Sequence, residues 1–150
     1  MKTTRIALLS SLALLLGGCA SGGPRILHKM FRDAPVECSR PQCEVLVTVT
    51  KKHNGCESRV NIETLKTTHS GPVHITWVIP GAGAFVDRPG RGDGVDTQGA
   101  SVFHGRGHAA KSFKWSFKNE DRGKGNEWKY DVHTSLDGVT CDKLDPYVMN

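Results

Sequence analysis

The chain of 150 residues carries 20 Lys and Arg against 15 Asp and Glu, a formal net charge of +5 at pH 7. That length is enough for one domain with a real core. The basic balance is too mild to point to nucleic acid, and attraction to anionic lipid, lipopolysaccharide or an acidic glycan is the weaker electrostatic expectation it leaves. In chain order, Lys2 and Arg5 come first, ahead of an apolar run from Ile6 to Leu16 broken only by Ser10 and Ser11. At about 11 residues this run is too short for a bilayer core, which needs about 20. With its charged flank it has the length of a signal-peptide h-region.

Leu16-Gly17-Gly18-Cys19 closes the run. This stretch resembles the lipobox of bacterial lipoproteins, Leu-x-Gly-Cys. The resemblance covers the first 19 residues or so. It implies cleavage before Cys19, a lipid on the Cys19 sulfur and acylation of the new amine. Ala20 and Ser21 follow rather than Asp, which by likeness to other diderm lipoproteins implies transport to the outer membrane, with the protein facing the periplasm. Three acyl chains hold a protein stably, since one is marginal and two already suffice. Residues 1–18 then read as the signal peptide, 19–37 as the lipidated cysteine and a tether, and 38–150 as the folded domain. Cleavage would remove Lys2 and Arg5 and leave 18 basic against 15 acidic residues, a balance of +3. Ala20 to Pro24 is small and flexible, and a tether of about 18 residues spans roughly 25 Å. Ile26, Leu27, Met30 and Phe31 interrupt it as an early strand or a short helical turn.

With Cys19 lipidated, Cys38, Cys43, Cys56 and Cys141 remain. An even count in an oxidising compartment reads as two disulfides with three possible connectivities. A long-range Cys56–Cys141 staple with a local Cys38–Cys43 loop is the pairing we favour. A zinc site is the rival, because Cys38-x4-Cys43 is near zinc-ligand spacing, but no second close pair of ligands follows.

From Glu44 the hydrophobic period is two. Val45, Val47 and Val49 alternate with Leu46, Thr48 and Thr50, and His53-Asn54-Gly55 supplies a hairpin signal. A return strand is expected over roughly 58–67. After the turn at Ser70-Gly71-Pro72, Val73, Ile75, Trp77 and Ile79 form one face of the clearest strand, and its Trp marks a central core strand. Residues 81–107 contain eight glycines, which favours short strands near 83–87 and 101–104 joined by an exposed loop. Phe113, Trp115 and Phe117 then alternate with Lys114, Ser116 and Lys118. Trp128, Tyr130 and Val132 alternate with Lys129, Asp131 and His133. Asp137-Gly138 is a second hairpin signal, leading into 139–144. No stretch has a helical period. Seven or eight short strands suggest an all-β antiparallel sandwich, immunoglobulin-like or cupredoxin-like.

The order Cys43-x-Val45-x-Val47-x-Val49, Ile75-Thr76-Trp77-x-Ile79, Phe103, Phe113-x-Trp115, Tyr130-x-Val132, Cys141 and Asp145-Pro146-x-x-x-Asn150 resembles a family of small exported proteobacterial β-sandwich proteins without an assigned activity. The resemblance covers 43–150 and implies fold and compartment rather than mechanism. Where that family implies a compact loop, this chain has the Gly-rich segment 87–101, which is where its own function is to be sought.

Several chemistries can be weighed. A blue-copper site takes two His, a Cys and a weak Met. Cys141 and Met149 stand in one C-terminal stretch, but no His lies between them, and His133 and His74 lie elsewhere. His104 and His108 are four apart in a Gly-rich stretch and hold a metal only with a third ligand such as Asp93 or Asp96. Gly105 to Ala110 fits a loose dinucleotide pattern without the strand–helix unit that pattern needs. Arg91-Gly92-Asp93 matches a cell-adhesion tripeptide of the kind that arises by chance. There is no Gly-Lys-Ser/Thr phosphate loop, no Gly-x-Ser-x-Gly elbow and no His-Glu-x-x-His. Ser101 and His104 are close in sequence only. Lys111, Lys114, Lys118, Arg122, Lys124 and Lys129 read as the outward face of strands whose aromatics point inward. The expectation is therefore a non-enzymatic, cofactor-free binding or structural module. It is membrane-attached through its lipid and engages an envelope protein or glycan, with immunity to a toxin or inhibition of a wall-degrading enzyme within the class. Asp87, Arg88, Arg91, Asp93, Arg106 and His108 of the 87–108 loop are the candidate contacts, because charged residues on a loop held by a rigid sheet commonly bind. The alternative is a copper- or zinc-binding protein that uses His104 and His108.

Overall fold

Period-two alternation sets the longest strands. The computed structural model describes residues 34–88, 92–119 and 124–150. In it β1 spans Val36–Cys38, β2 Gln42–Lys52, β3 Gly55–Val60, β4 Thr64–Thr67, β5 Val73–Val78, β6 Ala84–Phe85 and β7 Val95–Asp96. β8 spans Phe103–Ala109, β9 Ser112–Phe117, β10 Glu127–Lys129, β11 Asp131–Val132, β12 Thr134–Leu136, β13 Val139–Thr140 and β14 Tyr147–Met149. The described residues are all-β and contain no helix. The lipobox with Cys19, the apolar residues Ile26 to Phe31, Arg91 and Arg122 lie outside them.

One layer is a regular five-stranded sheet in the order β3-β2-β5-β9-β8. Its inner face is the alternation read from sequence: Val45, Val47, Ile75, Trp77, Phe113 and Phe117 are all fully buried. Val45 lies opposite Trp77 across β2 and β5, and Trp77 opposite Phe113 across β5 and β9. Facing this sheet is a layer assembled from three smaller pieces, β1-β4-β14-β10, β7-β11 and β6-β12-β13. Tyr130 reaches the centre from this second layer. Its ring packs edge-on against Trp77 at 5.1 Å, and Trp77 Nε1 donates to its hydroxyl at 3.1 Å. Burial drives the Tyr130 phenol upward, only partly offset by that hydrogen bond. Among the cysteines, Cys38 pairs with Cys43 and Cys56 with Cys141. The second bond ties β3 of the regular sheet to the chain just after β13.

The sandwich departs from the sequence reading in four ways. The pairing is mixed, because β2 runs parallel to β5, and β4 runs parallel to both β1 and β14. The return strand of 58–67 is two strands: β3 stays with β2, and β4 leaves for the other layer. The second layer consists of strands of two to four residues, too short to show a period, so more strands exist than the seven or eight expected. β1 begins at Val36, inside the stretch read as tether. Of the two hairpins, one follows its sequence signal and the other is shifted by a residue. Leu136 pairs with Val139, and the loop residues Asp137 and Gly138 have φ of 52° and 80°, the two-residue turn their sequence calls for. Lys52 pairs with Gly55, so that turn is centred on His53 and Asn54, one residue before the Asn-Gly signal.

Candidate functional site

The Gly-rich segment is not the exposed loop its composition suggests. Asp93, Gly94, Val95 and Thr97 are buried. The backbone passes so close to the core that a Cβ on Gly94 would sit 2.8 Å from both Phe85 Cβ and Phe113 Cδ2. Only glycine permits that approach. The segment is then sewn down on both sides. Trp115 Nε1 donates to the Val95 carbonyl at 2.9 Å, and the His133 amide donates to the Gly94 carbonyl at 2.8 Å. β7 pairs with β11, so that Val95 lies opposite Val132 and Asp96 opposite Asp131.

These contacts enclose a cleft of about 990 Å³. Asp96, Asp131 and His133 line it together with Gln98, Trp115 and the cations Arg106 and Lys143. Asp96 and Asp131 are directly opposite on neighbouring strands, a like-charge arrangement that is destabilising unless compensated. The compensation is visible. Asp96 accepts the Gly92 amide at 3.2 Å and the Gln98 amide at 2.8 Å. Asp131 accepts Gln98 Nε2 at 3.0 Å and Lys143 Nζ at 3.1 Å. Gln98 thus bridges the two carboxylates, and it does so from a left-handed backbone with φ of 54°. Non-glycine residues rarely adopt that region. One donor atom from each of Asp96, Asp131 and His133 lies within 4.8 Å of the others, so this trio can hold a metal.

At the other end of the cleft, Asp93 and Arg106 form a clamp. Arg106 Nε and Nη2 reach the two Asp93 oxygens at 2.5 and 2.9 Å, and Nη2 also reaches Asp87 Oδ1 at 3.0 Å. The guanidinium lies 4.9 Å over the Phe113 ring. Burial pushes the Asp93 carboxyl up, but the Arg106 hydrogen bonds and the Gly94 and Arg88 amides outweigh it and hold the carboxyl below its ordinary value. Hydrogen bonding to Asp93 in turn raises Arg106.

Of the six candidate contacts, the structure brings Asp87, Asp93, Arg106 and His108 into one cluster. His108 Nδ1 is 3.6 Å from Asp87, and its ring packs edge-on against Phe113. Only Asp93 and Arg106 of the four line the cleft. Their charges are spent on each other, so they act as an internal strut rather than as free contact groups. Arg88 is exposed, with its amide on Asp93, and Arg91 lies outside the described residues.

His104 and His108 do not converge. A β-bulge interrupts the β8–β9 register between His104 and Gly107, so His104 faces Ser116 and His108 faces Phe113. Ser116 and Phe113 stand on opposite faces of β9, because they are three residues apart in a strand of period two. The two imidazoles therefore point to opposite sides of the sheet and cannot share one ion. This corrects the two-His metal reading. Cys141 is committed to its disulfide and offers no thiolate to copper.

Sequence reasoning missed Asp131, His133, Trp115, Gln98 and Lys143 as members of a site. Asp131 and His133 alternate in sequence with Tyr130 and Val132, yet Asp131 is 8% exposed and His133 partly buried. The available signal was the pair Asp131-x-His133, which a strand presents on one face. Nothing in the sequence announced that Asp96 would pair opposite. No known protein-family model matches the chain, and no curated protein does either.

Proposed function

We propose that this chain is a lipid-anchored protein of the outer membrane that works by binding rather than turnover, holding a hydroxyl-rich envelope glycan in the cleft beneath residues 92–99. The observation that carries the reading is the composition of the cleft: Trp115 lines it beside Asp96, Gln98, Asp131 and Lys143. A sugar ring presents an apolar face and paired hydroxyls. An aromatic surface beside a few placed donors and acceptors suits both. The anchor rests on Leu16-Gly17-Gly18-Cys19, and the two disulfides suit an exported chain.

The test is titration of the full chain in detergent with soluble wall oligosaccharides, followed by calorimetry. Trp115→Ala is expected to weaken binding at least tenfold. Gln98→Asn keeps a residue that tolerates the left-handed backbone but withdraws the amide from Asp131, and a severalfold loss is expected. Absence of any oligosaccharide binding, or equal binding by both variants, would overturn the glycan reading. Incorporation of radiolabelled palmitate that disappears in Cys19→Ser tests the anchor separately.

A further inference from the structure

We propose that Asp96, Asp131 and His133 form a divalent-cation site of the zinc class, with an open coordination position facing the cleft.

Three observations converge on it. The first is the donor set: two carboxylates and an imidazole, drawn from β7, β11 and the residue after β11, with ligating atoms within 4.8 Å of one another. A tetrahedral zinc holds its donors at about 2.1 Å, which places them about 3.4 Å apart. The donors therefore need to draw in by no more than about 1.4 Å from their present separation. Three protein ligands with one position left open is the arrangement of zinc sites that take an exogenous ligand. An imidazole among the donors selects against magnesium and calcium, which take oxygen alone.

The second observation is the electrostatic imbalance. Asp96 and Asp131 face each other across the β7–β11 pair, where like charges are unfavourable. The nearest cation, Lys143, pairs with Asp131, and its side chain is 51% exposed. Lys143 can swing into solvent, and a dication in its place would neutralise both carboxylates at once.

The third is the outer support. Metal-binding carboxylates are oriented by hydrogen bonds from groups behind them. Here the Gly92 and Gln98 amides fix Asp96, and Gln98 Nε2 fixes Asp131. Each carboxylate keeps lone pairs beyond those bonds. The His133 ring hydrogen-bonds to no group among the described residues, although both its backbone groups are paired. A hydrogen-bonded carboxylate pair beside an imidazole, all three lining the cleft, has the make-up of a chelating group.

The site shares Asp96 and Asp131 with the cleft of the glycan reading but does not rest on that reading, and Zn²⁺ titration without oligosaccharide tests it by itself. Its test is calorimetric titration of chelator-treated full chain with Zn²⁺ alone and with Ca²⁺ alone. One Zn²⁺ per chain and at least tenfold weaker Ca²⁺ are expected. His133→Ala and Asp96→Asn should each lower the Zn²⁺ affinity tenfold or more. Lys143→Ala should raise it severalfold by removing the competing cation, an effect that mere structural damage would not produce. Zn²⁺ bound equally well by the wild type and by folded His133→Ala would place the ion elsewhere and overturn the proposal. So would the absence of saturable binding, preferential binding of Ca²⁺, or a Lys143→Ala variant that binds Zn²⁺ less well. Should Asp96→Asn or His133→Ala fail to fold, the sign of the Lys143→Ala effect still decides.

Discussion

The two layers of this sandwich are built differently. The regular sheet uses strands of six to eleven residues, alternating most clearly in β2 and β5, and its inner face is apolar apart from Ser58. The facing layer uses strands of two to four residues stitched together by side chains. Ser58 and Thr134 share a buried hydrogen bond at 2.5 Å between the layers, and Asn119 Nδ2 holds the carbonyls of Thr67 and His69. Long strands saturate their own backbone groups and leave none to orient a ligand-binding side chain. Short strands end often, and each end frees amides such as those of Gly92 and Gln98 to fix a carboxylate. The cleft therefore lies where the secondary structure is least regular, braced against the layer where it is most regular.

The largest effect should come from separating the layers. Replacing Cys56 and Cys141 together by Ser opens a loop of 85 residues and should cost about 4–5 kcal/mol of stability in denaturant melts. The same change at Cys38 and Cys43, separated by 5 residues, should cost about 2 kcal/mol. Equal losses would show that the long staple does not couple the layers. Gly94→Ala comes next. The new methyl would enter the space of Phe113 on the regular sheet and Phe85 on the patchwork side, at about 1–3 kcal/mol. A wild-type melt in this variant would mean that the segment over the cleft lifts off without penalty.

Asp93→Asn breaks the tie between the segment over the cleft and Arg106 on β8 of the regular sheet. It leaves Arg106 with the more exposed Asp87 as its remaining carboxylate partner and should cost about 2 kcal/mol at neutral pH. The folded carboxyl titrates below its ordinary value of 3.8, so its contribution is complete above that value. It is lost as the pH falls through the lower folded value. The wild type should therefore lose stability in that acid window, and the variant should show a flatter profile there. Parallel acid limbs for the two proteins would remove Asp93 as the source. The smallest effect belongs to the rim of the regular sheet. Glu57, itself partly exposed, pairs with the exposed side chains of Lys52 and Arg59, and Glu57→Gln should leave the melt nearly unchanged.

The sequence by itself determined the regular layer. Val45, Val47 and Val49, Val73 to Ile79, and Phe113 to Phe117 each repeat at period two over enough residues to state which face is buried, and Trp77 marks the centre. Of the three cysteine pairings the sequence left open, the favoured one, a local loop and a long staple, is the one the structure shows. Asp137-Gly138 set its turn because only residues that tolerate a left-handed backbone fit it. Tertiary structure alone decided the rest. The pairing of Val95 and Asp96 with Asp131 and Val132 involves two residues on each strand, too few for any period to register. The bulge after His104 inverted the side-chain parity, and no pattern in Gly105-Arg106-Gly107 foretold that. Asp93 looked like a surface charge because charges in Gly-rich stretches usually are. It is buried because Arg106, 13 residues later, folds back onto it. Long-range pairing of short segments leaves no local trace, and the cleft is made entirely of such pairings.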